Sequence, residues 1–368
     1  MSPPDARTSA DPWTPLLADP GAVMVTGTLL GEHIRILIDT GSAVTLVDNV
    51  LAMRLGLSPL DRLSVRGDIG SVALGAGADL SLDIGGVELA TKRYVVTDFA
   101  PIFEADGVAP GLILGVDALK EVILEIDFPG RRLAFPSRES FQPGKDAERL
   151  PLSKSARGQL SIPIAIEGHD PVAAVIDLGS SNPLTVAPAL AEAQALLRGR
   201  KISSAATAGV DGISISRTVS VAALQVGRTS VQDVPCEVLA RTDPTLVPAK
   251  LGLPVLERYL FALDVTGGTL WLRPAPGLLA APFKRDLSGL GLAVDSDRLR
   301  VVHVAQGGPA ALTGWRVGES ITAVNGVPIR PDYVTGGVAQ WRYGPVGAKV
   351  VLSLSDGSER TLDLQRYY

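Results

Sequence analysis

The sequence predicts a mainly β protein, with two related β-rich lobes in tandem followed by a smaller third domain of strands and helices. Three observations carry that expectation. Hydrophobic residues make up 46% and charged residues 20% of the 368 positions, enough apolar material for the two or three domains that the length implies. Val, Ile, Leu, Gly and Pro abound while helix-period segments are few, which favours strands joined by tight turns. The chain also repeats itself.

The repeat is read directly. Residues 21–47 run GAVMVTGTLLGEHIRILIDTGSAVTLV, and residues 159–186 run QLSIPIAIEGHDPVAAVIDLGSSNPLTV. Each is a strand, a turn with Gly and His, a second strand ending in Asp, and then x-Gly-Ser. Asp39 lies 76 positions before Gly115, and Asp177 lies 75 before Gly252. From Gly115 to Asp127 is 12 positions, and from Gly252 to Asp264 is also 12. Chance similarity between apolar strands does not hold register over such distances, so the halves are a duplication.

Boundaries follow from composition. Residues 1–20 form a polar, proline-rich flexible tail, 21–136 the first lobe, 137–158 a polar linker, and 159–273 the second lobe. Residues 274–284 are a Pro- and Ala-rich linker, and 285–368 match neither half.

Several function classes are disfavoured at this stage. A net charge of −5 with no Lys/Arg cluster argues against nucleic acid as a partner. No stretch approaches the ~20 apolar residues of a helical membrane span. The single cysteine, Cys236, excludes an intrachain disulfide. His33, His169 and His303 are scattered, and with one cysteine they make no zinc constellation, so neither metal nor cofactor is expected. Nothing sets a histidine beside a serine for nucleophilic catalysis, and His33 and His169 read as exposed turn residues. Residues 67–77 lack the Gly-Lys-Ser/Thr of a phosphate loop.

The chemistry concentrates in the repeat. Ile38-Asp39-Thr40-Gly41-Ser42 ends an apolar strand at a sharp turn, and Asp177-Leu178-Gly179-Ser180 is its counterpart. A two-fold-related pair of lobes brings equivalent residues together at its axis, so Asp39 and Asp177 are expected to meet. Two adjacent carboxylates share a proton and titrate as a pair. One then serves as general base toward water and the other as general acid toward a carbonyl.

On these residues the chain resembles the retropepsin and pepsin family. Residues 21–136 show its Asp-Thr-Gly-Ser turn, a glycine-rich hairpin and an apolar-apolar-Gly motif at Ile113-Leu114-Gly115. Residues 159–273 repeat this more loosely, with Leu251-Gly252. The resemblance implies a bilobal aspartic endopeptidase with a peptide or protein substrate in the inter-lobe cleft and Asp39 and Asp177 as catalytic residues. Thr40, Gly41, Ser42, Gly179 and Ser180 would support them, the two serines by hydrogen-bonding the carboxylates. Flaps are expected at 67–77 and 206–216, with Gly67, Gly70, Gly75, Gly77, Gly209 and Gly212 as turn or hinge candidates. Leu178 departs from the family, which has Thr or Ser there as half of a cross-lobe hydrogen-bond network. The alternative is therefore a catalytically inactive, peptide-binding scaffold. Two lobes in one chain make a monomer sufficient for the site, unlike single-lobe relatives.

The last segment resembles a PDZ domain of the type attached to bacterial proteases. It carries Gly289-Leu290-Gly291-Leu292, then Gly-Pro-Ala-Ala before a helix, and Asn325-Gly326 at a hairpin turn. The resemblance implies a loop at Gly289, Leu290, Gly291 and Leu292 that cradles a peptide C-terminal carboxylate, with the next strand pairing to the peptide. Residues 1–20 lack the basic start and apolar core of a signal peptide, which leaves the bacterial periplasm, with a leader absent from this chain, or the cytoplasm.

Overall fold

The computed structural model describes residues 12–18, 21–57, 59, 61–66, 71–103, 109–209, 212–241, 247–334 and 336–368. Each half opens with an antiparallel pair, Met24–Leu29 with Glu32–Ile38 and Leu160–Ile166 with Val172–Asp177. Leu30 and Gly31, at φ of 49° and 84°, make the first turn, and Glu167 and Gly168, at 52° and 79°, begin the second. Two successive positive φ values match the right-handed twist of the flanking strands. Burial of Ile34, Ile36 and Ile38, and of Leu160, Ile162, Ile164 and Ile166, follows the two-residue strand period.

The same element order then runs through both halves. A short strand follows the Asp turn, Thr45–Asp48 or Leu184–Val186, and then a helix, Asn49–Arg54 or Pro188–Ala193. Asp48 caps the first helix by accepting from the Val50 and Leu51 amides. A long hairpin comes next, Asp61–Arg66 with Ser71–Ile84 or Ser203–Gly209 with Gly212–Val226. The chain returns through Val87–Thr97 or Thr229–Val238 to the strand that closes the motif, Leu112–Leu114 or Ala249–Gly252.

That closing strand positions the site. Leu112–Leu114 lies parallel to the Asp39 strand and antiparallel to Thr45–Asp48. Ala249–Gly252 lies parallel to the Asp177 strand and antiparallel to Leu184–Val186. Each Asp turn therefore leaves the sheet on one side of the closing strand and re-enters on the other, and is clamped between them.

A further six-stranded sheet joins the halves, in the order 14–15, 132–134, 124–127, 259–264, 269–274, 148–151. Its centre pairs Ile126 with Phe261 and Glu125 with Ala262. Each half contributes two strands and the segment preceding it supplies an edge, so the sheet is nearly symmetric about that central pair. One apolar cluster runs through both halves and this sheet, from Val25 and Ile36 to Ile176, Leu224 and Phe261.

Three segments differ from their expected looseness. Thr14–Pro15 of the expected tail pairs with Arg132 and Leu133. The expected linker 137–158 holds strands Glu148–Pro151 and Ser153–Lys154. In the expected linker 274–284, the Arg258 guanidinium donates to the carbonyls of Leu278, Leu279 and Ala281 and lies 3.8 Å from the Phe283 ring centroid. Polar or proline-rich composition records the lack of a periodic apolar face, but edge pairing and pinning by a distant side chain do not need one.

The C-terminal region forms a separate sheet, in the order Leu290–Asp295, Arg298–Val304, Ser320–Val324, Lys349–Leu354, Glu359–Asp363. It encloses its own core around Leu299, Val301, Trp315, Ile321 and Leu352. Asn325 and Gly326, at φ of 49° and 76°, make the hairpin turn expected there.

Candidate active site

Asp39 and Asp177 close their strands at equivalent positions, and the fold brings them together. The Gly41 amide donates to Asp39 Oδ1 at 2.8 Å, and the Gly179 amide to Asp177 Oδ1 at 3.0 Å. Each glycine packs on the other half's carboxyl group. A Cβ on Gly41 would lie 2.4 Å from the Asp177 carboxyl carbon, and one on Gly179 would lie 2.6 Å from that of Asp39. These approaches are too close for any side chain, so x-Gly is required at both turns. The Asp177 charge also acts directly on the Asp39 carboxyl.

Burial, reinforced by the Asp177 charge, pushes the Asp39 carboxyl up to about 8, against the opposing effects of the Gly41 amide and Lys250. A carboxyl raised this far can still hold its proton near neutral pH, which is what a general acid needs.

Beneath the aspartates the hydroxyl network is one-sided. Thr40 Oγ1 donates to the Ile176 carbonyl at 2.8 Å and accepts from the Leu178 amide at 3.0 Å. Leu178 has no hydroxyl to return these bonds, and its side chain is fully buried in the shared core. Burying such a side chain contributes about 2 kcal/mol, so apolar packing holds the place of a polar tie.

Ser42 and Ser180 do not take the role expected of them. Ser42 Oγ donates to the Val44 carbonyl at 2.7 Å, and Ser180 Oγ accepts from the Asn182 amide. Both hydroxyls tie down the chain leaving the turn, because Ser lies two residues before the group it meets. The Gly115 and Gly252 motifs lie under these turns. The Val116 amide donates to the Ser42 carbonyl and the Leu253 amide to the Ser180 carbonyl, each at 3.0 Å.

The flap candidates divide. Gly67 and Gly70 lie outside the described residues. Gly209 and Gly212 pair at the end of the second hairpin. Gly75 and Gly77 are inside the paired strand Ser71–Ile84 rather than in a turn. A Cβ on Gly77 would lie 2.1 Å from the Tyr94 ring, so this glycine makes room for an aromatic rather than for motion. The second hairpin lies against the first-half helix Ala100–Phe103 and exposes Ile213 and Ile215.

The C-terminal loop also differs from expectation. Gly289 takes φ of +71°, but the Leu290 amide donates to Ser288 Oγ at 3.1 Å, and the Leu290 carbonyl accepts from Arg342. Gly291 lies opposite His303, with a register shift before Leu292. Asp286, held by Arg342 and by the Ser288 and Gly289 amides, organises the loop from inside. The Leu290 amide is thus committed within the chain.

Sequence reasoning missed Lys250, whose Nζ lies 3.4 Å from Asp177 Oδ2. It also missed Glu237, a buried carboxyl that accepts from Asn182 Nδ2 and, at 3.0 Å, from Thr207 Oγ1. The available signal was a charge in an otherwise apolar strand, Ala-Lys-Leu-Gly, at the place where the first half has Ile113. No group of His, Cys, Asp and Glu suited to a metal ion occurs among the described residues. No described helix is long and apolar enough to cross a membrane.

Two β lobes of the same topology, with an Asp-x-Gly turn from each meeting at the axis between them, define a bilobal aspartic-protease architecture. Residues 25–118 and 162–255 each match the family described as aspartyl protease, and together they span just over half of the chain. The chain belongs to the aspartyl protease family. Comparison with curated proteins yields no match.

Proposed function

We propose that the chain is an aspartic endopeptidase in which Asp39 and Asp177 activate water against a peptide bond held between the lobes. The observation that carries this reading is the reciprocal packing of Gly41 on Asp177 and Gly179 on Asp39. It sets the two carboxyl groups close together at the junction of the lobes, as a shared proton requires. The carboxylate takes a proton from water as the oxygen attacks the carbonyl carbon, and the neutral carboxyl protonates the carbonyl oxygen. Collapse of the tetrahedral diol breaks the C–N bond; the proton taken from water passes to the leaving amine, and a diol hydroxyl returns its proton to the carboxyl that had given one. Replacing either aspartate by Asn should lower cleavage of casein, an unstructured protein, by about a thousandfold across acidic to neutral pH. If either single variant cleaves as fast as the parent, the assignment is wrong.

The C-terminal sheet is proposed as a PDZ-like module that recruits or positions substrate. Supporting this are the edge strand Leu290–Asp295, the short helix Pro309–Leu312 and the Asn325-Gly326 turn. Because the Leu290 amide is committed to Ser288, recruitment would rest on strand pairing along Leu290–Asp295 rather than on a preformed carboxylate cradle. Peptides with free and amidated C-termini should therefore bind about equally. The buried Leu178 favours one rival, an inactive peptide-binding scaffold. A parent protein that binds a peptide library without cleaving any member would establish that rival.

A further inference from the structure

The two halves are near copies at the level of strands, so a charge that only one of them sets beside the aspartates is informative. Lys250 is two positions before Gly252, in the strand parallel to Asp177, where the first half has Ile113 before Gly115. Thr185 is its neighbour on the next strand, whereas Ile113 faces Leu46. The Lys250 side chain is 22% exposed and that of Asp177 is 9% exposed, with Nζ and Oδ2 3.4 Å apart. Ions so little exposed are weakly screened by salt.

Two other charged groups face this lysine. Asp39 lies across the axis and feels the Lys250 charge. Glu237 lies in the same cross-strand row, opposite Thr185, and is held by Asn182 and Thr207. In the first half the corresponding row is Ile113, Leu46 and Val95, all buried and apolar. In this cross-strand row, charge is therefore built into the second half and not the first.

We propose that Lys250 fixes the position of the shared proton. Its ammonium holds Asp177 as the carboxylate and leaves Asp39 to carry the proton. Asp177 is then the base that takes a proton from water, and Asp39 the acid that gives its proton to the carbonyl oxygen. On collapse of the diol, Asp177 passes the proton it took to the leaving amine, and Asp39 recovers one from the diol hydroxyl. Both carboxyl groups return to their starting forms. The raised proton affinity of Asp39 agrees with this order. Lys250 is a positioning residue, since it acts through Asp177. The chemical roles rest on the peptidase reading, but the distribution of charge does not.

Two measurements test the proposal and separate it from that reading. The first is the pH profile of kcat/KM on casein for the parent, Lys250→Met and Lys250→Arg. Loss of the cation raises the proton affinity of the pair, so both limbs of the K250M profile should move about one unit toward alkaline pH. The K250R limbs should stay with the parent. K250M limbs that superimpose on the parent, whatever happens to the maximal rate, overturn the proposal. The second needs neither turnover nor a Lys250 variant: carbon-13 NMR of the aspartate carboxyls in the parent, assigned with D39N and D177N. At about pH 6, well above ordinary carboxylate values, Asp177 should be ionised and Asp39 protonated. The reverse order overturns the proposal even if the enzyme cleaves peptides.

Discussion

At Asp39, burial and the neighbouring Asp177 charge raise proton affinity, while the Gly41 amide and Lys250 oppose the rise. The carboxyl moves from an ordinary 3.8 to about 8 in the folded chain, and this links the site to stability. The unfolded chain releases the proton at the lower value and the folded chain at the higher one. The stabilising contribution of the bound proton is therefore complete below the unfolded value and is lost as pH rises through the folded one. Asp39→Asn, which cannot ionise, should escape that loss. Its stability relative to the parent should grow steadily as pH rises from the acidic range toward about 8. Urea unfolding at three pH values checks this, and a gap that does not widen refutes it. Gly41→Ala tests the same contact sterically. Its Cβ would meet the Asp177 carboxyl at 2.4 Å, so kcat/KM should fall about a hundredfold or more while the fold is retained. Legibility was unequal among these residues. Asp39 could be read from its own motif, and Asp177 only from duplication register. Lys250 was legible only as a charge in an apolar strand; a lone lysine there normally marks a solvated face, and only tertiary pairing shows that it faces a carboxylate.

Among the elements, the segment after the second lobe is the clearest case of a structure set from outside its own sequence. Residues 274–284 have linker composition, yet they wrap the Arg258 side chain. This side chain is 6% exposed and donates to the carbonyls of Pro254, Leu278, Leu279 and Ala281. Truncation would leave several buried carbonyls without donors, so Arg258→Ala should cost about 3 kcal/mol, read as a lowered urea midpoint. Arg258→Lys should recover less than half, because an ammonium cannot match the planar fork. The strands of both lobes were legible because alternating apolar residues and paired turn signals repeat in register. Edge strands such as Thr14–Pro15 and Glu148–Pro151 were not. They bury little, and they exist because a neighbouring edge offers unpaired backbone. The flap glycines show the same limit. Gly77 signals flexibility by composition, but in the sheet it seats the Tyr94 ring.

For the whole molecule, the central six-stranded sheet and the shared core make the two lobes one body, and the C-terminal sheet is docked on the second lobe by polar ties. Ser203 Oγ donates to the Gln306 carbonyl, and Ser204 Oγ lies 3.0 Å from His303 Nε2, both at the base of the hairpin proposed as a flap. A second tie centres on Asp233, which receives Arg285 and Arg366, while the Arg285 guanidinium lies 5.2 Å from the Tyr368 ring centroid. Burial works to raise the Asp233 carboxyl, but Arg366 and Arg285 outweigh it, and the net shift is downward. A depressed carboxyl contributes above its unfolded value and loses that contribution as pH falls through the folded one. Docking should therefore loosen only below the ordinary carboxylate range and hold at neutral pH. Asp233→Ala should reproduce the loosening at neutral pH. Ion pairs with a solvent-exposed partner contribute about 0.5–1 kcal/mol each, so losing two should let limited proteolysis separate residues 285–368 from the lobes about fivefold to thirtyfold faster. Added salt should speed release from the parent more than from the variant, since only the parent retains the attractive pairs of Arg285 and Arg366 with Asp233. Equal release rates for the two proteins at low salt would show that the Asp233 carboxylate does not hold the C-terminal sheet, leaving the serine contacts and the Arg285 and Arg366 bonds to Ser220 and the Asp233 carbonyl to do so.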